Sequence, residues 1–263
     1  MQIYTHTLPG GAQLIGYLRD RTVEMPAFNT RPAILILPGG GYAWCSRREA
    51  DPVAMQFLQA GYNVFTLYYT CRSDETVPAL RWQPLIDAAG AILHIRCNAE
   101  QFGTDPAKIA ICGFSAGGHL ALSAAVLDIP GETAQQRPDA VILGYPVVTA
   151  GEFAHRGSFV QLAGSEDAAA QQAFTLEDKV TSDTPPVFVW HTMEDKTVPV
   201  ENTLLLLAAL RRAGVPCEAH LFEKGAHGTS ISTAEVDAAD PHRAHWVALC
   251  LEWLGETFGF KLS

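Results

Sequence analysis

Residues 112–119 read Cys-Gly-Phe-Ser-Ala-Gly-Gly-His and separate two segments of different character. A run of apolar residues precedes them and predicts a strand, and a run rich in alanine and leucine follows and predicts a helix. Side chains at Gly113 and Gly117 would collide with the neighbouring elements, so the two glycines allow a tight turn between strand and helix. Gly-x-Ser-x-Gly in this context is typical of a nucleophilic serine, here Ser115.

The rest of the chain alternates between strand-like and helix-like segments. Two strand-like runs at the start, split by Pro-Gly-Gly, predict an antiparallel hairpin at a sheet edge. The later alternation predicts an α/β fold with a mostly parallel central sheet and helices on both faces. The predicted strands are 2–8, 12–19, 32–37, 62–69, 108–112, 140–143, 187–191 and 217–222, and the predicted helices are 51–60, 84–102, 120–127, 200–213 and 241–258.

Length and composition indicate one globular domain. The chain has 263 residues, of which 48% are hydrophobic and 17% charged, enough apolar material for a large core. Single α/β domains of this length are common, so we expect one domain over 1–263. The stretch 147–183 is predicted to be poor in helix and is the best candidate for a small cap, because long loops in compact domains are usually functional.

The charge balance argues against several classes of partner. The formal net charge is −10, and no cluster of lysine and arginine exceeds two residues. Nucleic acid and anionic membranes need a concentrated basic face, so neither is expected as a partner. The expected partner is a small neutral or apolar molecule. The oligomeric state stays open, with a homodimer among the alternatives.

Cysteine spacing and the first residues bear on compartment and cofactors. The six cysteines show no close spacing typical of a zinc site, and a disulfide framework is not needed at this length. We therefore expect no metal and no cofactor. The first residues lack the basic and apolar regions of a signal peptide, and no apolar run approaches the length of a membrane span. These features favour a cytoplasmic protein.

A serine nucleophile needs a histidine base and a carboxylate that orients it. His227 lies in a glycine-bracketed loop after the last predicted strand, where its ring can reach the carboxyl edge of the sheet. Asp195 follows the preceding strand and is the preferred acid, with Glu194 as the alternative. The order of serine, acid and histidine along the chain agrees with this assignment.

Two segments are candidates for stabilising the negative oxygen of a tetrahedral intermediate. The amide of Ala116 directly follows the serine, and the run 39–41 is three glycines after a buried strand. Only glycine lets the backbone approach a reacting group so closely. Gly40 and Gly41 are the preferred donors, although the sequence alone does not decide which of the three amides faces the site.

Several aromatic residues and histidines are further candidates for a role in substrate binding or in the structure. Four aromatic side chains near predicted strand ends are candidates for lining a substrate pocket: Tyr42, Trp44, Trp82 and Tyr145. Among the histidines, we interpret His119 as structural and His191 as a support for the acid loop. His155 is assigned to a solvated surface, with substrate contact as the alternative. His242 and His245 are interpreted as an exposed helix end rather than as metal ligands.

Five motifs together resemble the α/β-hydrolase superfamily. They are Pro-Gly-Gly-Gly-Tyr at 38–42, Gly-Phe-Ser-Ala-Gly-Gly-His-Leu-Ala at 113–121, Tyr-Pro-Val at 145–147, His-Thr-x-x-Asp-x-x-Val-Pro at 191–199 and Gly-Ala-His-Gly at 225–228. Within the superfamily they are similar to compact microbial esterases related to acetyl-xylan and feruloyl esterases, and to the catalytic domain of prolyl oligopeptidases. The resemblance implies the α/β-hydrolase fold.

The same resemblance implies roles for the candidate residues, with two departures from the family pattern. Ser115 corresponds to the nucleophile, Asp195 to the acid and His227 to the base. Pro38 stands where lipase-type relatives carry histidine. Met-Glu at 193–194 stands where relatives often carry a small residue and a second aspartate, which bears on the choice of acid.

The resemblance favours a serine carboxylic-ester hydrolase that acts on small acyl esters. Acetyl groups on sugars or short oligosaccharides are the expected substrates. A serine peptidase related to prolyl oligopeptidase is the first alternative, which the chain disfavours because it has no room for a gating propeller. A non-catalytic binding protein with this fold is the second alternative, and the intact set of serine, acid, histidine and glycines argues against it.

Overall fold

The computed structural model describes residues 1–74, 76–128 and 133–262, and within these ranges eight strands form one sheet. The strands are β1 (Gln2–Thr7), β2 (Gln13–Leu18), β3 (Arg31–Leu37), β4 (Asn63–Tyr68), β5 (Thr104–Phe114), β6 (Ala140–Gly144), β7 (Val187–Thr192) and β8 (Cys217–Phe222). Their order in the sheet is β1-β2-β4-β3-β5-β6-β7-β8. The predicted hairpin is confirmed: β1 pairs antiparallel with β2 at the edge, β2 pairs antiparallel with β4, and the other pairs are parallel.

Helices cover both faces of this sheet, as the alternation predicted. They are α1 (Asp51–Gln59), α2 (Gln83–Cys97), α3 (Ala99–Phe102), α4 (Ala116–Val126), α5 (Arg156–Ala163), α6 (Ala168–Gln172), α7 (Glu201–Ala213), α8 (Pro241–Ala244) and α9 (Trp246–Phe258). The predicted helix 84–102 is interrupted at Asn98, whose side chain donates to the carbonyl of His94 at 2.8 Å and competes with the helical pattern. None of the described helices is long and apolar enough to cross a membrane.

The expectation that 147–183 is poor in helix is wrong, because this stretch contains α5 and α6. Helix α5 is capped at its start by His155, whose imidazole accepts a hydrogen bond from the amide of Ser158, and at its end by Gly164, which has a left-handed φ of 68°. Histidine is not among the residues preferred at a helix start, so no recognisable capping signal precedes this helix.

Alternating residues of the central strands fill two separate cores. The strand β3 is buried along its whole length, as its continuous apolar run predicted. One core lies between the sheet and helices α2, α4 and α7, and the other lies between the sheet and helices α1 and α9. Because both faces are covered, polar side chains can converge only at the ends of the strands. The segments that follow β3, β5, β7 and β8 all lie at the carboxyl edge of the sheet.

His119 on α4 joins the nucleophile helix to the segment 147–183. Its Nε2 donates to the carbonyl of Phe174 at 2.8 Å, and its Nδ1 accepts from the hydroxyl of Tyr42 at 2.7 Å. The ring is only 2% exposed, and burial lowers the pKa of His119 to about 4. These contacts support the interpretation of His119 as a structural residue.

We expect the free energy of unfolding to decrease on acidification partly through His119. The unfolded chain takes up this proton near pH 6.5 and the folded chain only near pH 4, so stability is lost as the pH falls between these values, by roughly 3 kcal/mol at most. Urea unfolding at pH 7 and pH 4.5 measures the loss. It should be smaller in His119→Gln and unchanged in the exposed control His245→Gln; equal losses in wild type and His119→Gln would contradict the assignment.

Candidate active site

Ser115 occupies a strained turn between β5 and α4. Its φ is +54°, a left-handed conformation that costs free energy for any residue other than glycine. A Cβ on Gly117 would overlap the carbonyl oxygen of Leu37, and a Cβ on Gly113 would overlap the carbonyl of Gly117. The two glycines therefore allow the close packing of β3, β5 and α4 that holds the serine in this conformation.

The side chains of the predicted serine, histidine and acid lie within hydrogen-bond distance of one another. His227 Nε2 lies 2.8 Å from Ser115 Oγ, and His227 Nδ1 lies 2.6 Å from Asp195 Oδ2. A carboxylate accepts, so Nδ1 carries the proton and Nε2 is left to accept from the serine hydroxyl. This geometry is that of a nucleophile beside its general base, with the base oriented by an acid.

Asp195 is buried and held by several donors. Its Oδ1 accepts from the amides of Thr197 and Val198 at 2.9 Å each. Burial would raise the pKa of Asp195, but hydrogen bonds from His191 and His227 outweigh it and hold this pKa well below the usual range. The alternative acid, Glu194, is exposed and contacts the amide of Gly225 instead, so the geometry favours Asp195.

His191 contacts the acid loop at two points, in the position that the sequence suggested. Its Nε2 lies 3.2 Å from Asp195 Oδ2 and 3.0 Å from the carbonyl of Val198, and its Nδ1 lies 2.7 Å from the hydroxyl of Thr203. The ring therefore ties the loop after β7 to helix α7.

The amides of the glycine run 39–41 differ in whether they already donate a hydrogen bond within the protein. The amide of Gly39 donates to Glu49 Oε2 at 2.8 Å and is therefore already engaged. Gly40 and Gly41 have φ values of +127° and +63° and line the same cavity as Ser115. Within the described ranges no protein group accepts from the amides of Gly40, Gly41 or Ala116, so these donors are available to a ligand.

The cavity at Ser115 has a volume of about 300 Å³. Besides the serine and histidine, its lining includes an exposed tryptophan, an arginine, a buried glutamate, a second histidine and a glutamine: Trp44, Arg48, Glu49, His155 and Gln161. Arg48, Glu49 and Gln161 were not predicted as site residues. They lie outside the motifs, where a charged or amide side chain gives no local indication of a functional role.

Only one of the four aromatic residues predicted to line the pocket does so. Trp44 faces the cavity and is 63% exposed. Tyr42 is buried against His119, and the ring of Trp82 is tilted against that of Phe174 with centroids 4.7 Å apart. Neither residue lines the cavity at Ser115, so both of these predictions are wrong. Their position near strand ends did not reveal which side of the loop they would face.

Tyr145 is also misassigned as a pocket residue, since it is 1% exposed and does not line the cavity. Its ring packs on that of His227 with centroids 4.9 Å apart. Its φ of +38° is a left-handed backbone conformation directly after β6. The ring therefore packs against His227 instead of lining the cavity.

His155 lies on the wall of the cavity and not on a solvated surface, so that expectation is corrected. Its Nδ1 accepts from the amide of Ser158, which places the proton on Nε2 and makes that nitrogen a donor. Burial, followed by the nearby positive charge of His227, lowers the pKa of His155 and favours the neutral ring. His242 lies in α8 and His245 directly precedes α9, and both are exposed. No group of three potential metal ligands occurs among the residues described.

Comparison with known proteins assigns the chain to a family. The model of the prolyl oligopeptidase family matches residues 91–260, and the BD-FAE model matches residues 23–141. The chain is an α/β-hydrolase of the prolyl oligopeptidase family. The resemblance expected from the five sequence motifs is thereby confirmed, as is the predicted fold class.

Named relatives of this α/β-hydrolase include proteins that carry xylanase and esterase names. Endo-1,4-beta-xylanase B of Butyrivibrio fibrisolvens is 39% identical over 84% of this chain and 35% of its own length. The acetylxylan esterase of Xylanibacter ruminicola is 29% identical over 85% of this chain and 45% of its own length. The chain thus spans less than half the length of these curated relatives.

A solved structure matches this α/β-hydrolase over nearly its whole length. The acetyl ester-xyloside bifunctional hydrolase from Caldicellulosiruptor lactoaceticus is 34% identical, with a TM-score of 0.81. The match covers 97% of this chain and 90% of that one.

The packing at Gly117 predicts a sharp difference between two glycine-to-alanine substitutions in helices. Gly117→Ala should lower the free energy of unfolding by about 2–3 kcal/mol through overpacking and should reduce ester hydrolysis. The matched control Gly90→Ala in α2 has no atom within 4 Å of the added methyl and should be neutral or stabilising by up to about 1 kcal/mol. Chemical denaturation measures both, and equal effects would contradict the account of this turn.

Proposed function

We propose that this protein is a serine carboxylic-ester hydrolase that acts on small acyl esters through Ser115, His227 and Asp195. The hydrogen-bonded chain from Asp195 Oδ2 to His227 to Ser115 Oγ, with distances of 2.6 and 2.8 Å, is the observation that carries the proposal. The esterase names among the relatives support the same reaction class.

Each step of the proposed reaction uses a side chain or backbone amide at the site of Ser115. His227 Nε2 takes the serine proton while Ser115 Oγ attacks the carbonyl carbon, and the charge of the imidazolium is balanced by Asp195. The resulting oxyanion accepts from amides at Gly40 or Gly41 and Ala116, each worth roughly 3–4 kcal/mol. His227 then passes this proton to the leaving alcohol as the ester C–O bond breaks, which leaves the acyl group on Ser115 Oγ. Water attacks this acyl-enzyme while His227 takes a proton from the water, and the proton passes to Ser115 Oγ as its bond to the acyl carbon breaks and the acid leaves.

Acetyl groups on sugars or short oligosaccharides are the proposed substrates. The cavity of about 300 Å³ suits a small acyl group and part of a sugar ring. The exposed indole of Trp44 offers a surface for stacking on a sugar, and the Nε2 donor of His155 suits a hydroxyl or ring oxygen. The relatives named for acetylxylan and acetyl ester-xyloside hydrolysis support this substrate class.

The segment 147–183 is proposed to act as a small cap within a single domain that covers 1–263. His155, Gly157 and Gln161 from this segment form one wall of the cavity. The hydrogen bond between His119 and the carbonyl of Phe174 fixes the segment to the nucleophile helix. We therefore expect this wall to influence which alcohol group fits.

A peptidase is the second candidate, and the match to the prolyl oligopeptidase family over residues 91–260 is the observation that favours it. The same triad chemistry cleaves esters and amides, so only a substrate comparison separates the two.

We also propose that the protein is cytoplasmic and that it requires no nucleic acid, membrane or cofactor.

A panel of substrates tests the proposed activity directly. Purified protein is assayed with 4-nitrophenyl acetate and butyrate, a feruloyl ester, acetylated xylo-oligosaccharides and a prolyl amide. We expect the acetyl substrates to have the highest kcat/KM and Ser115→Ala to lose at least about 1,000-fold in kcat. The exposed control Ser182→Ala should match wild type. Preference for the prolyl amide would favour the peptidase, and full activity of Ser115→Ala would refute the mechanism.

A further inference from the structure

A buried carboxylate in the cavity has no part in the reaction as described so far. Glu49 is 3% exposed and lies in the short turn between the glycine run 39–41 and helix α1. It lines the same cavity as Ser115 and His227. Burying a carboxylate is costly unless donors surround it, so its contacts show what it is held by.

Both oxygens of Glu49 accept hydrogen bonds. The amide of Gly39 donates to Oε2 at 2.8 Å, and the hydroxyl of Tyr145 lies 2.6 Å from Oε1. The same hydroxyl accepts from the amide of Ser230 at 2.9 Å, so its own proton is directed at Glu49. A group that receives two donors and gives none has the hydrogen-bond pattern of an ionised carboxylate.

Through these bonds Glu49 connects the two halves of the site. Gly39 is packed between Glu49 and the nucleophile, since an added Cβ on Gly39 would lie 2.8 Å from Glu49 Oε2 and 2.9 Å from Ser115 Cβ. On the other side, Tyr145 and Ser230 join Glu49 to the loop that carries His227. Glu49 therefore contacts the glycine run directly, and it contacts the loop that carries His227 through Tyr145.

The charge of Glu49 also acts on the base. Burial raises the pKa of Glu49, while the hydrogen bonds from Tyr145 and Gly39 and the positive charge of His227 oppose that rise. A negative charge on Glu49 and a positive charge on His227 attract each other. The other groups that face or surround His227 are the carboxylate of Asp195, the hydroxyl of Ser115, the ring of Tyr145, and the cationic or titratable side chains Arg48 and His155.

We propose that Glu49 is a positioning residue of this site: its carboxylate fixes the glycine run beside Ser115 and, together with Asp195, stabilises the imidazolium that forms during the reaction. The inference rests on the proposed esterase function. It assigns to Glu49 a role in the transition state rather than in substrate binding, because the oxyanion and the imidazolium exist only after attack begins.

The charge-removing variant Glu49→Gln tests this role, with the exposed Glu100→Gln on α3 as matched control. Glutamine keeps the size of the side chain but turns an NH2 group toward a donor. We expect kcat on 4-nitrophenyl acetate to fall about 10- to 100-fold, with KM changed less than about threefold. Glu100→Gln should match wild type in both kcat and KM.

Rates are normalised to the number of active sites, so that a loss of folded protein does not imitate a loss of kcat. If Glu49→Gln does not fold, Tyr145→Phe removes one donor to Glu49, and we expect a three- to tenfold lower kcat with KM nearly unchanged. Folded Glu49→Gln, or failing that Tyr145→Phe, with wild-type kcat would overturn the inference while leaving the esterase proposal intact. Inactive wild-type protein would instead refute the proposed function.

Discussion

The hydrogen bond between His227 Nδ1 and Asp195 Oδ2 is the interaction on which the site depends. It joins the loops after β7 and β8, which are neighbours in the sheet, and it fixes the nitrogen that faces Ser115. Asp195 can accept this hydrogen bond because backbone amides and the ring of His191 keep its buried carboxylate ionised. The parallel sheet thus brings the two loops together, and the local hydrogen bonds keep Asp195 negatively charged.

The fold could be predicted from the sequence to a large extent because its signals are periodic and local. The fully apolar run of β3 and the glycines at 113 and 117 indicate burial and close packing wherever they occur. The split at Asn98 and helix α5 were missed, because Asn98 bonds the carbonyl of His94 and α5 is capped by a histidine, which is not a usual capping residue. Such bonds leave no pattern in the spacing of apolar residues. Helix α6 has only five residues, too few to show a helical period.

The site was predictable only in part, for a related reason. The convergence of Ser115, Asp195 and His227 was predictable because each follows a strand of one parallel sheet. The aromatic residues were not, since the direction of Tyr42 and Tyr145 is set by left-handed backbone conformations that their sequence does not announce. Glu49 lies outside every motif, and its proposed role follows from hydrogen bonds with Gly39 and Tyr145 and, through Tyr145, with Ser230.

The central claim is that His227 makes the hydroxyl of Ser115 a nucleophile, and covalent labelling tests it most directly. A fluorophosphonate reacts with a serine oxygen only when a base activates that oxygen. The account predicts one phosphonyl group per chain on the peptide that contains Ser115, and labelling at least about 100-fold slower in His227→Ala. Labelling at another residue, or equal rates in the two proteins, would contradict it.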